Sequence, residues 1–137
     1  TREQVYIDRF NRIGYVALEE RITALSQRWG LQALVIESNS IGQPVIDHLA
    51  GRGLPIVPFH TSAATKQPLI QALQSAFEHG QIRILADPVQ IGELQAYEGK
   101  RTAAGMSYSA PPGMHDDTVI ALALSWHAAT GSTPVFL

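Results

Sequence analysis

The sequence predicts a layered α/β fold with a mixed, partly parallel sheet flanked by helices, and three observations carry that prediction. Short aliphatic runs alternate with stretches of helical spacing along the whole chain. One of those runs, Leu31-Gln32-Ala33-Leu34-Val35-Ile36, is almost continuously apolar, the pattern of a central strand covered on both faces. Gly, Pro, Ser and Asn punctuate the junctions between runs.

In order, Gln4-Val5-Tyr6-Ile7 is a short strand candidate, and Asp8 to Arg12 turns out of it. Tyr15 to Trp29 predicts an amphipathic helix, with Val16, Ile22, Leu25 and Trp29 near helical spacing and Gly30 as its stop. The aliphatic strand ends at Glu37, where Ser38-Asn39-Ser40-Ile41-Gly42 breaks it. A helix follows from about Pro44 through Val45, Ile46 and Leu49 to the break at Gly51-Arg52-Gly53. Leu54 to Phe59 is a further strand, its two prolines indicating an edge or frayed ends. Ala63 to His79 is helical, with Leu69, Ile70, Leu73, Ala76 and Phe77 as its buried stripe and Gly80 closing it. Ile82 to Leu85 is a short strand. Asp87-Pro88 starts a helix over Val89 to Tyr97 by the cap-then-proline signal. Gly99 to Ser109 is a hairpin or loop, and Pro111-Pro112-Gly113 leads rigidly to a last helix.

Composition sets the limits. At 137 residues with 45% hydrophobic and 16% charged side chains, the chain is long enough to bury a real core as one domain. It has no cysteine, which excludes disulfides and thiolate metal sites. No apolar stretch approaches the ~20 residues of a membrane span. No signal-peptide pattern stands at the amino terminus, so the cytoplasm is the expected location. The net charge of −2 excludes a globally basic nucleic-acid binder, so phosphate contact falls to scattered cations: Lys66, Lys100 and Arg101, with Arg83 as a further one.

The last helix holds the most informative chemistry. Gly113-Met114-His115-Asp116-Asp117-Thr118 opens into Val119-Ile120-Ala121-Leu122-Ala123-Leu124, so two adjacent carboxylates stand at the start of a helix that is apolar on nearly every face. Each gains a little from the positive end of the helix dipole, but their mutual repulsion is relieved best by a divalent cation. An Asp N-cap with a polar neighbour is the plainer alternative. Glu37, at the carboxyl end of a central strand, stands where open α/β sheets place their ligand sites; the plainer alternative there is an exposed strand end.

Taken together, these motifs resemble the nuclease domain of tailed-phage terminase large subunits. Glu37-Ser38-Asn39-Ser40-Ile41-Gly42 is similar to that family's second acidic motif and Gly113 to Leu124 to its third. His60-Thr61-Ser62 to Lys66 before a helix and Tyr108-Ser109-Ala110-Pro111 before the Asp pair follow the same order, over nearly the whole chain. The resemblance implies a ribonuclease H-like fold that holds two Mg²⁺ or Mn²⁺ ions and cuts double-stranded DNA during genome packaging in a bacterial host. It implies an ATPase motor domain, a small terminase and a portal as partners. Carried over by motif, Glu37 binds metal, and Asp116, Asp117 or both complete the cluster. Consecutive helical residues lie about 100° apart, so one of the pair is the ligand, with Asp117 slightly favoured. His115 is a candidate for contact with phosphate or the scissile oxygen; the plainer alternative is a helix-entry residue. His60, His79 and His127 are taken as structural or surface residues, and the sequence names no partner for His48.

The family's first strand carries a metal-bridging Asp, paired in a hairpin with the second. Val5-Tyr6-Ile7 resembles the third strand, so an amino-terminally truncated nuclease domain over residues 1–137 is expected, lacking that hairpin and that Asp. Asp8 sits at the wrong strand to replace it. An excised fragment, a prophage remnant and one piece of a split gene all remain open. No Gly-x-x-x-x-Gly-Lys-Ser/Thr phosphate loop occurs in the chain. Two other functional readings stand beside the first: a ribonuclease H-like resolvase or transposase-type nuclease, and a non-catalytic DNA- or capsid-binding remnant.

Overall fold

A computed structural model describes residues 1–103 and 105–130. The chain divides into two compact units, Asp8–Thr61 and Thr1–Ile7 with the described residues from Ser62 onward.

The first unit begins with helix α1, Tyr15–Trp29, which ends as the sequence predicts because Gly30 takes the left-handed conformation at φ 59°. Its buried side differs from the expected stripe. Val16 and Trp29 are exposed, whereas Glu19 and Ser26 are buried. The buried Glu19 carboxylate meets His48 Nδ1 at 2.7 Å, which is what lets an acidic residue face inward. Strand β2, Leu34–Glu37, pairs in parallel with β3, Ile56–Phe59, placing Glu37 opposite Phe59. All four residues of β2 are half-buried rather than fully covered, since among the described residues β2 has β3 as its one neighbour. The crossover contains two helices where the sequence suggested one: a single turn, α2, Ser38–Ile41, and then α3, Gln43–Gly51. Ile46 and Leu49 of α3 supply the buried apolar anchors of this unit.

In the second unit, strand β1 is Arg2–Glu3, not the expected Gln4–Ile7, and pairs in parallel with β4, Ile82–Arg83. Gln4 explains the early end. Its backbone N–H still donates to Arg83 O at 2.8 Å, but its side chain turns inward. There its Oε1 accepts from Leu85 N at 3.0 Å, and its amide exchanges hydrogen bonds of 2.7 and 2.8 Å with the fully buried Gln90. A side chain thus takes the donor that a longer strand would have used. Val5 and Tyr6 are left exposed.

Helix α4, Ala63–Glu78, starts at a reciprocal capping box in which Thr65 N donates to Ser62 Oγ and Ser62 N to Thr65 Oγ1. Leu69, Ile70, Leu73 and Ala76 are buried as expected, whereas Phe77 is 39% exposed. Helix α5, Pro88–Ala96, is capped by Asp87, whose side chain accepts from Gln90 N at 2.9 Å. Strands β5, Glu98–Thr102, and β6, Gly105–Ser109, form an antiparallel hairpin, the first of the two forms left open for this stretch, and Ala104 lies outside the described residues. Helix α6, Asp117–Ala129, is buried at Thr118, Val119, Ile120, Leu122, Ala123 and Leu124, and packs against α4 and α5. Among the described residues no helix is long and apolar enough to cross a membrane.

Candidate functional site

The chain reaches α6 through a turn in which Met114 N donates to Pro111 O at 3.0 Å, with Gly113 at φ 81° where a side chain would be strained. Asp116 occupies the N-cap position, and its carbonyl accepts from Ile120 N at 3.0 Å, but its side chain caps nothing. That duty falls to Glu93 on α5. The Glu93 carboxylate is buried, and its Oε1 accepts both Thr118 N at 2.9 Å and Thr118 Oγ1 at 2.6 Å. A carboxylate held by an amide at the positive end of a helix is well placed electrostatically. The plainer reading of the Asp pair, as an N-cap, is therefore replaced by a cap from another helix.

Freed from capping, Asp116 turns to Lys66. Lys66 Nζ lies 3.5 Å from Asp116 Oδ2, with both side chains largely covered at 23% and 29% exposure. Lys66 stands in the first turn of α4, where the helix dipole opposes an ammonium by about 0.3–1 kcal/mol, so its position depends on that carboxylate. The same ammonium lies 5.8 Å from the centre of the Tyr97 ring. Burial pushes the Tyr97 phenol well above its ordinary ionisation range, and the negative charge of Asp116 pushes it further in the same direction. The Asp116 side chain also acts on the phenol directly, in the same direction, although no hydrogen bond of 3.5 Å or less reaches the buried Tyr97 Oη among the described residues.

Asp117 is different. It is exposed in the first turn of α6 and makes no hydrogen bond or ion pair among the described residues. His115, just before the pair, is likewise exposed. Lys100 and Arg101 are exposed on β5, opposite Ser107 and Met106 of β6. Of the expected cations, Lys66 is thus tied to an internal carboxylate, while the hairpin pair faces solvent.

In the other unit, Glu37 ends β2 half-buried, and its Oε2 accepts from Ser40 Oγ at 2.9 Å, the bond that draws the Ser38–Ile41 turn back toward it. The loop beyond is pinned by Asn39, whose side-chain amide donates to Thr61 O at 3.0 Å and accepts from Thr61 N at 3.1 Å, mimicking one more rung of the β2–β3 ladder.

Carboxylate oxygens are the donors that hard divalent cations take. Among the described residues no three His, Asp or Glu side chains converge on a point that could hold a metal ion. The donors nonetheless suit Mg²⁺ or Mn²⁺ in kind, because Mg²⁺ is commonly held by one or two carboxylates and completes its shell with water and phosphate oxygens. Glu37 keeps Oε1 uncommitted and Asp117 keeps both oxygens.

Sequence reasoning missed Glu93 and Tyr97. Glu93 is three residues after the buried Gln90, hence on the same face of α5, and two polar residues at that spacing in a short helix whose third polar residue, Gln95, falls elsewhere were the available signal.

No family model matches the chain. The terminase large subunits of Thermus virus P23-45 and Thermus phage G20c are 29% and 28% identical to it, over 93% and 91% of its length. The chain spans about a quarter of each of those proteins (27% and 26%). Among solved structures, the large terminase nuclease of thermophilic phage G20c with bound cobalt superposes with a TM-score of 0.76 at 28% identity, covering 85% of this chain and 63% of that one. The same nuclease with bound magnesium gives 0.75 at 29% identity. The large terminase nuclease domain of Thermus phage P74-26 gives 0.73 at 28%, covering 85% of this chain and 61% of that one. The chain therefore has the ribonuclease H-like fold of terminase large-subunit nuclease domains, with small sheets, and the resemblance read from its sequence holds.

Proposed function

We propose that this chain is a divalent-metal-dependent endonuclease domain of a phage DNA-packaging terminase, acting on double-stranded DNA. The observation that carries the reading is the state of Asp117: a carboxylate without a partner among the described residues, at the start of a buried helix, in a fold whose solved relatives bind cobalt and magnesium. Asp117 is a proposed ligand on its exposed carboxylate, unpartnered among the described residues, and Glu37, in the other unit, is proposed as a ligand on its motif alone. A bound divalent cation would supply an activated water and stabilise the leaving 3′ oxygen. The chain's own residues do the rest. Glu93 fixes the start of α6, so Asp117 is presented on a rigid element. His115 offers an exposed imidazole beside it for phosphate contact, and Lys100 and Arg101 offer positive charge on the hairpin. In the packaging machine, an ATPase motor, a small terminase and a portal would be its partners.

The test is nicking of supercoiled plasmid with Mn²⁺ by the wild type, Asp117→Asn and Glu37→Gln, with circular dichroism confirming that each is folded. Nicking that chelation abolishes and that each variant lowers by roughly 100-fold or more supports the reading. Cutting that persists in both variants would overturn the ligand assignment. A folded wild type that never cuts would leave a non-catalytic DNA- or capsid-binding role.

A further inference from the structure

Four charged groups around the start of α6 divide their duties. Glu93 takes the helix amide, and Asp117 faces solvent. Asp116 and Lys66 face each other at 3.5 Å, largely covered, beside the ring of Tyr97 and its buried hydroxyl. A cation therefore already stands against one member of the Asp pair, and it belongs to the protein. The ammonium comes from the first turn of α4, whose start the Ser62–Thr65 capping box holds in place. At 23% side-chain exposure it is less open to a duplex phosphate than the exposed Lys100 or Arg101.

We infer that Lys66 is a positioning residue, an internal counter-ion that neutralises Asp116 and so leaves Asp117 as the one carboxylate of the pair open to a metal ion. Its part in metal binding rests on the nuclease reading above; its pairing with Asp116 does not. In this arrangement the doublet repulsion is relieved before any metal arrives. Lys66 also sets a limit on metal affinity, because an ammonium beside the site opposes a second positive charge. A site that holds its cation loosely can still exchange it.

Two measurements on the full chain test this. The first is Mn²⁺ affinity, read from the electron paramagnetic resonance of free Mn²⁺. Lys66→Met is expected to bind Mn²⁺ roughly tenfold more tightly, since a unit charge at contact range opposes a divalent ion by about that factor in a well-solvated site. Lys66→Arg is expected to restore wild-type affinity within about twofold, and Lys66→Met/Asp116→Asn to return close to it. Unchanged or weaker binding in Lys66→Met would overturn the inference. The second is a metal-free double-mutant cycle on melting temperature with Lys66→Met, Asp116→Asn and the double variant. The single variants are expected to melt lower and the double variant to recover part of the loss; strict additivity would overturn the pairing. If the wild type binds no Mn²⁺, the nuclease reading fails, and the cycle still decides whether Lys66 is the partner of Asp116. A duplex-binding salt slope that falls by about one unit in Lys66→Met would make Lys66 a phosphate contact and also overturn the assignment.

Discussion

Glu93 performs for α6 the task that its own N-cap residue would ordinarily perform. It is buried, yet both of its short bonds run to Thr118, so its removal strands an amide and a hydroxyl in the interior. Glu93→Ala is expected to cost about 1–3 kcal/mol of stability in urea unfolding, and Glu93→Gln distinctly less, because the amide oxygen can still accept. A neutral result for Glu93→Ala would show that the cap is dispensable. Tyr97 carries a pH signature. Its phenol ionises at higher pH in the folded protein than when unfolded, so its contribution to stability is complete below about pH 10 and declines as pH rises beyond that point. Ultraviolet titration is expected to show one phenol that ionises above the ordinary tyrosine range, and Tyr97→Phe to remove it. At this scale the sequence displayed the Asp pair and Glu37 plainly. It hid the partners, because Glu93 and Lys66 meet α6 only across the packed helices.

At the scale of elements, local chemistry was legible wherever the signal was local. Helix α1 runs over the predicted residues because Gly30 adopts a conformation that other residues resist. Helix α5 starts at the Asp87-Pro88 signal for the same kind of reason. The faces of helices were less legible: α1 buries Glu19 in place of Val16 because His48, brought by α3, satisfies it. The turn α2 was missed because Ser-Asn-Ser reads as a loop until Glu37 accepts Ser40. Ser62→Ala is expected to cost about 1 kcal/mol by removing half of the α4 capping box, measured by urea unfolding. Gly99→Ala tests the β5–β6 hairpin, since a Cβ there would stand 3.0 Å from Tyr108 Cε1 and 3.1 Å from Met106 Cε. Both neighbours are side chains able to shift, so a small loss of stability with the hairpin kept is expected.

Over the whole molecule, stability rests on the apolar faces of α4 and α6 in one unit and on α3 in the other. Leu73, 3% exposed, and Leu49, fully buried, stand for the two cores. Leu73→Ala and Leu49→Ala are each expected to cost about 2–5 kcal/mol in urea unfolding, the range for an uncollapsed cavity.

From its sequence alone the chain determined its strand–helix alternation, most helix limits, its two acidic motifs and a resemblance that the superposed terminase nucleases bear out. Those properties depend on residues near one another along the chain: caps, glycine stops and runs of one hydrophobic period. Tertiary structure alone decided that Glu93 caps α6, that Lys66 meets Asp116 and that Asp117 faces solvent. Two like charges side by side are equivalent in a sequence. They become different only when packing brings a cation to one and water to the other.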